Sequence, residues 1–215
     1  MVPLTPLAAA ADVSIDRLVI ATTNQGKIRE IRAVLGDLGL TIVAQSDYGA
    51  LPPVLEDGKT YAANAVNKAT AIASRFGVTA LADDSGLEVD ALGGAPGLLS
   101  ARFAGPHATD GENRRLLLDR LRGVPVSRRG ARFRCALALV DPSGVVRVAE
   151  GLVEGVIRDH EAGCGGFGYD PVFELPDRGL TFAELTDDEK NRISHRGRAL
   201  AKVHAMLLAE LKAEG

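Results

Sequence analysis

ADDSGLEVDALGGAPGLLSARFAG, residues 82–105, begins with two adjacent carboxylates at the end of a short apolar run, Val78–Ala82. Ser85 and Gly86 follow them directly. An apolar run that ends in acids and then glycine predicts a strand that delivers carboxylates to a loop at the edge of a sheet. In open α/β sheets that edge is where ligands bind. Asp83 and Asp84 therefore mark a candidate site, although Asp, Ser and Gly are also common in solvent-exposed turns.

The two acids are not equivalent. Neighbouring side chains of an extended chain point to opposite sides, so only one of Asp83 and Asp84 can face a given ligand. Paired acids of this kind suit a hard divalent cation such as Mg²⁺, which takes oxygen ligands and often shares them with phosphates.

Helical and strand patterns alternate around this stretch. Strands are predicted at 17–22, 41–44, 78–83, 87–92, 132–140, 145–157 and 172–175, and helices after Gly26, Thr60, Thr109, Thr186 and Ser194. The turn at 141–144 should join two of the strands as a hairpin. The last helix should bury Leu200, Val203, Leu207, Leu208 and Leu211. Early alternation followed by a hairpin predicts an α/β fold with a mixed β-sheet flanked by helices.

Composition restricts the class of protein. The 215 residues are 46% apolar and 25% charged, enough for one sizeable core. A net charge of −3 gives no general attraction to nucleic acid or to an anionic membrane. Aromatic residues make up 4% of the chain and tryptophan is missing, which argues against a base-stacking platform. We therefore expect a soluble protein that binds neither nucleic acid nor membrane.

The cysteines and the N-terminus indicate a location. Cys135 and Cys164 are too few for a disulfide framework and fit a reducing cytoplasm. The first residues, MVPLTPLAAAADVSID, have no basic residue before Arg17 and contain two prolines, unlike a secretory signal. We expect residues 1–16 to be a flexible extension and residues 17–215 to form a single domain.

TTNQGK, residues 22–27, stands between a predicted strand and a predicted helix. Backbone N–H groups at a helix start, with the charge of Lys27, can bind an anion. Turn geometry alone would also explain the Asn and Gly. The segment is not a P-loop, because the spacing is absent, and Gly58-Lys59-Thr60 fails because position 53 is proline.

Three other features could contribute to a site. In GGFGYDP, residues 165–171, glycines permit close backbone approach, Phe167 or Tyr169 could stack on a flat ring, and Asp170 could accept hydrogen bonds from a base. EKNRISHRG, residues 189–197, should group cationic side chains around a helix start, where they oppose the dipole and so indicate an anionic or base ligand. Glu56, before a helix, could hold a metal. The alternatives are a plain turn for GGFGYDP, a surface charge pair for EKNRISHRG and a favourable interaction with the helix dipole for Glu56.

The sequence thus combines acids that could bind a metal, amides and a lysine that could bind phosphates, and a pocket of glycine and aromatic residues. Together these features describe a nucleoside triphosphate site. From about Leu18 to Leu211 the chain resembles the inosine triphosphate pyrophosphatase family, the dITP/XTP pyrophosphatases. Seven motifs occur in the family's order: T-x-N-x-x-K at 22–27, E-x-G-x-T-x-x-x-N-A at 56–65, ADDSGL at 82–87, GGAPG at 93–97, SARF-x-G at 100–105, GGFGYDP at 165–171 and EK-x-x-x-SHRG at 189–197.

The resemblance implies a role for each matching residue. Asp84 would accept the proton of the attacking water and neighbour the metal, and Glu56 would be the other Mg²⁺ ligand. Ser85 would also touch the substrate. The triphosphate would be held by Thr22, Thr23, Asn24, Gln25, Gly26 and Lys27. The base and sugar would be held by Phe167, Gly168, Tyr169, Asp170, Lys190, His195 and Arg196.

The resemblance also implies the reaction and the overall shape. The family cleaves XTP, ITP and dITP between the α- and β-phosphates, requires Mg²⁺, is typically a homodimer and folds as two lobes around a substrate cleft. Two alternatives remain: a septum-inhibition type of nucleotide pyrophosphatase, and a protein that binds nucleotides without turnover. The GGFGYDP and SHRG motifs argue against the first, and the retained Asp84, Glu56 and Lys27 argue against the second.

Overall fold

A computed structural model describes residues 15–48 and 57–213. The expected metal ligand Glu56 and residues 1–14 of the expected N-terminal extension lie outside the described residues. Ile15, which the extension was expected to include, is buried in the core. The strands are β1 (Arg17–Ile20), β2 (Thr41–Ala44), β3 (Thr79–Val89), β4 (Gly130–Val140), β5 (Val146–Ile157), β6 (Phe173–Leu175) and β7 (Leu180–Thr181). The helices are α1 (Gln25–Leu35), α2 (Tyr61–Phe76), α3 (Asp110–Arg120), α4 (Asp187–Ile193) and α5 (His195–Ala213).

The seven strands form one mixed sheet in the order β2-β1-β3-β4-β5-β6-β7. The β2-β1-β3 part is parallel and the remaining pairs are antiparallel. The β4–β5 hairpin is joined by the predicted turn, in which the Asp141 carboxylate accepts from the Ser143 and Val145 amides. The expected mixed sheet with flanking helices is confirmed.

The adjacent acids lie inside a strand and not at its end. The sequence predicted two strands separated by a loop at Ser85-Gly86, but β3 runs without a break from Thr79 to Val89. That prediction was wrong because β4 pairs with β3 along its whole length, so the backbone groups of the polar residues are satisfied by the ladder. The shorter β1 pairs with β3 only as far as Leu81. Asp83 and Asp84 therefore lie beyond the carboxyl end of β1, where a site was expected.

Local sequence signals explain where the helices begin and end. Asn24 caps α1 and Thr60 caps α2 through side-chain oxygens, and Gly77 ends α2 in the left-handed conformation. The capping boxes predicted at Thr109 and Thr186 are both present. One expected inward residue of α5 is exposed, since Leu208 lies on the solvent side of the helix. Within the described part of the chain, no helix is both long and apolar enough to cross a bilayer.

Apolar packing covers both faces of the sheet. One cluster joins α1 and α5 to β1, β3 and β4, and a second buries α2 against the opposite face. A third cluster joins α3 to the far end of the sheet and contains Phe133, Phe173 and Phe182. Where the first and third clusters adjoin, polar and charged residues replace apolar ones, and this is the region of the candidate site.

The start of α5 rests directly on the backbone of β5. A Cβ atom at Gly151 would lie 2.0 Å from the carbonyl oxygen of His195 and 2.8 Å from the amide nitrogen of Ala199. Both atoms belong to backbone, so neither can turn away as a side chain could. Glycine at this position therefore fixes how closely α5, with His195 and Arg196, approaches the sheet.

Gly151→Ala should force α5 away from the sheet and lower the free energy of unfolding by about 1–3 kcal/mol, the usual range for overpacking. Urea denaturation measures this as a lower midpoint at an unchanged slope. Gly36→Ala is the matched control, since Gly36 has φ −68° and no neighbour within 4 Å of an added Cβ. An unchanged midpoint in the Gly151 variant would contradict the close contact.

Candidate active site

A pocket opens between the start of α1, the start of α3 and the loop that leads into β6. Its lining includes ten of the residues predicted from sequence: Asn24, Lys27, Ser85, Phe167, Gly168, Tyr169, Asp170, Lys190, His195 and Arg196. Segments that are far apart in the chain, around residues 25, 85, 168 and 195, thus meet at one place. Of the other predicted site residues that the structure describes, Thr22, Thr23, Gln25, Gly26 and Asp84 do not line it.

One wall of the pocket is formed by Lys27, Lys190, His195 and Arg196 and is largely buried. The guanidinium group of Arg196 is the centre of this wall. Only 2% of this residue is exposed. Its Nε donates to Asp83 Oδ2 at 2.7 Å, Nη1 to Glu30 Oε2 at 2.6 Å and Nη2 to Ser85 Oγ at 2.9 Å. Lys27 forms an ion pair with the other Asp83 oxygen. Each nitrogen of the buried guanidinium thus has an acceptor, as a buried cation requires.

Lys190 extends the same network toward the glycine-rich loop. Its ammonium group donates to Glu30 Oε1 at 2.7 Å and to Asp170 Oδ2 at 2.6 Å. The same Asp170 oxygen accepts from the backbone amide of Phe167 at 2.8 Å. Glu30 therefore bridges the two cations, and Asp170 holds its own loop as well as Lys190.

Burial and neighbouring charge compete in setting the proton affinities of these acids. Burial alone would raise the pKa of Asp83, but the charges of Arg196 and Lys27 outweigh it and hold that pKa well below its usual range. The pKa of Glu30 is lowered in the same way, against burial, by Arg196 and Lys190. For Asp170 burial prevails over the attraction of Lys190, so its pKa is raised.

The cations of the wall are already neutralised within the protein. Lys27, Lys190 and Arg196 face the carboxylates of Glu30, Asp83 and Asp170. Lys190 lies in the last turn of α4 and not at a helix start, so the dipole argument made from sequence was wrong for this residue. A neutral ring, more than a polyanion, suits a wall of balanced charge.

The start of α1 provides the groups expected to meet phosphates. The side chain of Asn24 accepts from the amide of Lys27 at 3.1 Å, while the amide of Asn24 donates to Thr22 Oγ1 at 3.2 Å. The geometry of a helix start leaves the amides of Gln25 and Gly26 without an acceptor inside the helix. These amides and the Lys27 ammonium group are adjacent.

Phe167 connects this helix start with the glycine-rich loop. An added Cβ at Gly26 would lie 2.5 Å from the Phe167 ring, so the ring packs directly on the α1 backbone. The Lys190 ammonium group lies 4.7 Å and the Arg196 guanidinium 5.4 Å from the ring centroid. Only a glycine at position 26 permits this contact.

His195 is the polar side chain of the wall that still lacks a partner. The residue is 4% exposed, its ring stacks on Phe133 with centroids 4.6 Å apart, and its buried Nδ1 has no hydrogen-bond partner among the described residues. Burial, reinforced by the positive charge of Arg196, lowers the pKa of His195 well below its usual value. The imidazole is therefore neutral at pH 7 and borders the pocket.

Asp84 faces the opposite side of β3, as the alternation of side chains requires. Its carboxylate accepts from Lys68 Nζ at 2.8 Å and from Asn64 Nδ2 at 3.1 Å, both on α2. Asn64 in turn accepts from the amide of Gly58 at 2.9 Å. The chain just after Glu56 is thus tied to the residue that holds Asp84.

Among the described residues, no group of three or more His, Cys, Asp or Glu side chains is arranged to hold a metal ion. Asp84 still supplies carboxylate oxygens, the ligand type that Mg²⁺ prefers. Mg²⁺ commonly needs only one or two carboxylates when substrate phosphates complete its shell. The donor chemistry at Asp84 therefore fits such an ion.

Sequence reasoning missed five residues that hold the site: Glu30, Asn64, Lys68, Asp110 and Arg114. Asn64 lies within one of the quoted motifs, and Lys68 follows it by four residues, on the same face of α2. Glu30 follows Lys27 by three residues, again on one helix face. These spacings were visible, but they do not identify partners up to 166 residues away.

The neutral charge of the buried His195 imidazole predicts how the free energy of unfolding depends on pH. Below about pH 6.5, its ordinary pKa, the unfolded chain binds a proton that the folded protein excludes, so stability should fall as the pH falls through this range. His195→Gln should reduce the slope of unfolding free energy against pH between 7 and 5. Urea denaturation across this range provides the measurement.

His107→Gln, at an exposed position, is the matched control and should keep the wild-type slope. Equal slopes in the wild type and in the His195 variant would contradict a neutral, buried imidazole.

Comparison with known proteins agrees with this geometry. A curated protein of Desulforamulus reducens named dITP/XTP pyrophosphatase is 51% identical over 191 residues, which are 89% of this chain and 95% of the relative. One of Geobacter sulfurreducens with the same name is 51% identical over 86% of this chain and 93% of its own.

Solved structures match as well. A HAM1 protein from Coxiella burnetii superposes with a TM-score of 0.81 at 39% identity, over 90% of this chain and 98% of its own. The Staphylococcus aureus Ham1 protein gives a TM-score of 0.80 at 39% identity, over 90% and 99%. The sequence model of the Ham1 family matches residues 18–206. The chain belongs to the Ham1 family.

Proposed function

We propose that the protein hydrolyses XTP, ITP and dITP to the nucleoside monophosphate and pyrophosphate, removing deaminated purines from the nucleotide pool. The observation that carries this proposal is the pocket in which the start of α1, the loop 165–171 and the segment 190–196 meet. The dITP/XTP pyrophosphatases named above, at about half identity over nearly the whole chain, support the same activity.

The base binds against the charge-balanced wall. The 6-oxo group of hypoxanthine or xanthine accepts a hydrogen bond where the amino group of adenine donates one. Arg196 makes three hydrogen bonds within the protein and Lys190 makes two, so each keeps at least one N–H that can donate to the ring edge. His195 also borders the pocket, and its neutral imidazole can donate or accept a hydrogen bond there. A site that pairs with one ring edge rejects another because buried polar groups are left unpaired.

The triphosphate extends from the pocket toward the start of α1. Thr22, Thr23, Asn24, Gln25 and Gly26 present backbone and side-chain groups there, and Lys27, whose ammonium group is paired with Asp83, follows in the first turn. A helix start favours anions through its free amides and its dipole. Ser85 stands between Asp83 and Arg196 and also faces the pocket.

Hydrolysis takes place where β3 extends beyond β1. Asp84 accepts a proton from the attacking water, whose oxygen bonds to the α-phosphorus while the bond to the β-phosphate oxygen breaks and pyrophosphate leaves. Lys68 and Asn64 orient the Asp84 carboxylate from α2. Mg²⁺, held by Asp84 and Glu56, would neutralise charge on the phosphate oxygens.

A homodimer is part of the proposal, carried over from the family resemblance. Light scattering measures it directly: the expected mass is twice that of a 22.5 kDa chain. A single-chain mass would contradict it.

Product analysis tests the proposed reaction. XTP, dITP, GTP and ATP are incubated with the protein, with and without Mg²⁺, and pyrophosphate is measured separately from orthophosphate. Metal-dependent pyrophosphate from XTP and dITP, with GTP and ATP nearly untouched, is expected. Preference for another nucleotide would favour the septum-inhibition type of enzyme, and tight binding without product would favour a nucleotide-binding protein.

Asp84→Asn should lower kcat by about 10²–10⁴-fold, the range for loss of a general base, because the amide cannot take the proton. The fold should survive, since the amide has the same shape and keeps an oxygen that can accept from Lys68. Steady-state kinetics with XTP provides the measurement, and Asp177→Asn, at an exposed position, should match the wild type. A wild-type kcat in the Asp84 variant would remove this residue from the base role.

Lys190→Ala is a poor test of base selectivity. The residue is 3% exposed and pairs with both Glu30 and Asp170. Its removal leaves the buried Asp170 without its cation and Glu30 with only one of two, which destabilises the fold. Substitution of His195 tests base selectivity with less damage to the ion-pair network.

A further inference from the structure

Four residues of the proposed base site, Phe167 to Asp170, lie on a closed loop between β5 and β6. The ends of this loop meet where the amide of Arg158 donates to the carbonyl of Val172 at 2.9 Å. A second bond joins the Ala162 amide to the Pro171 carbonyl at 2.8 Å. Loops whose ends are joined in this way are compact, and their shape is set by a few internal tethers.

Helix α3 holds this loop through the peptide groups of Gly168. Arg114 Nη1 donates to the Gly168 carbonyl at 2.8 Å, and Asp110 Oδ2 accepts from the Gly168 amide at 2.8 Å. Asp110 and Arg114 are four residues apart and therefore lie on one face of α3. Both hydrogen-bonding groups of one residue are thus fixed by side chains of opposite charge.

Gly168 is a position where the backbone, and not a side chain, must be held. Its φ is +59°, a left-handed conformation that favours glycine, and glycine has no side chain to pack. It stands between Phe167, whose ring lies on α1, and Tyr169, whose hydroxyl donates to the Ser100 carbonyl at 2.9 Å. A shift of the Gly168 peptide groups would therefore move the two aromatic residues that flank it.

Arg114 also reaches the first half of the loop. Its Nε lies 3.0 Å from Glu161 Oε1, and its side chain is only 17% exposed. One guanidinium group thus forms an ion pair with Glu161 and donates a hydrogen bond to Gly168 across the loop. Asp110 is more exposed than Arg114 but lines the pocket, as Gly168 does. The hydrogen bond between Asp110 and Gly168 therefore lies at the site itself.

We propose that Arg114 and Asp110 are positioning residues that set base selectivity by fixing the Gly168 peptide groups. This inference rests on the proposed function. Deaminated and ordinary purines differ by one or two groups at the ring edge, so discrimination requires a loop that does not adjust to the wrong base. Asp84, Lys68 and Asn64, on the opposite face of β3, keep their contacts when the loop loosens.

Arg114→Ala is tested by measuring kcat and KM for XTP, dITP and GTP. The expected result is a fall of about tenfold in the ratio of kcat/KM for XTP to that for GTP, mainly through KM for XTP. Asp110→Ala should lower the ratio in the same direction, whereas Asp110→Asn, which keeps an acceptor oxygen, should restore most of it. Arg115→Ala, the exposed neighbour on α3, is the matched control and should behave as the wild type.

Hydrogen exchange separates positioning from a general loss of stability. Amides of residues 161–170 should exchange faster in Arg114→Ala while those of β3 and β4 remain as protected as in the wild type. An unchanged selectivity ratio would overturn the inference, and so would a uniform increase in exchange over the whole chain. A wild-type protein with no preference for XTP would contradict the proposed function itself, before any variant is compared.

Discussion

The buried pair between Arg196 and Asp83 is the interaction on which the site depends. It joins α5 to β3, and through Glu30 and Lys27 it also joins both to α1. Removing one partner would leave a charge in a place that water does not reach, which costs several kcal/mol. The three elements can therefore shift relative to one another only if the whole network rearranges. Lys190 carries the same constraint to Asp170 and so to the glycine-rich loop.

The alternation of side chains along β3 divides the proposed work between two faces. Asp83 faces α1 and α5 and supports the wall for the base, while Asp84 faces α2 and is held by Lys68 and Asn64. Adjacent carboxylates can thus have different roles. Asp83 is permanently paired with Arg196, whereas Asp84 is oriented by α2 and lies near the reacting phosphates in the proposed mechanism. The charge balance of the first face is the reason why the proposal assigns the neutral ring, and not the triphosphate, to this wall.

Much of the fold could be predicted from local sequence. Capping residues at Asn24, Thr60, Thr109 and Thr186 fixed the helix starts, and the 141–144 turn fixed the hairpin, because these signals act over a few residues. The prediction of a break in β3 was wrong. Polar residues and glycine are also typical of turns, and only the pairing with β4 shows that they belong to a continuous strand. The exposure of Leu208 likewise follows from how α5 sits on the sheet, which helical spacing alone does not specify.

The sequence by itself predicted ten of the residues that line the pocket and determined the family to which the chain belongs, because seven ordered motifs specify residue types at fixed spacings. Only the tertiary structure decided what those residues contact. It paired the cations with Glu30, Asp83 and Asp170, buried a neutral His195 whose Nδ1 has no partner among the described residues, and placed Arg114 on the Gly168 carbonyl. The physical reason is that pairing and desolvation depend on distances in space between segments 20 to 166 residues apart, which spacing along the chain does not contain.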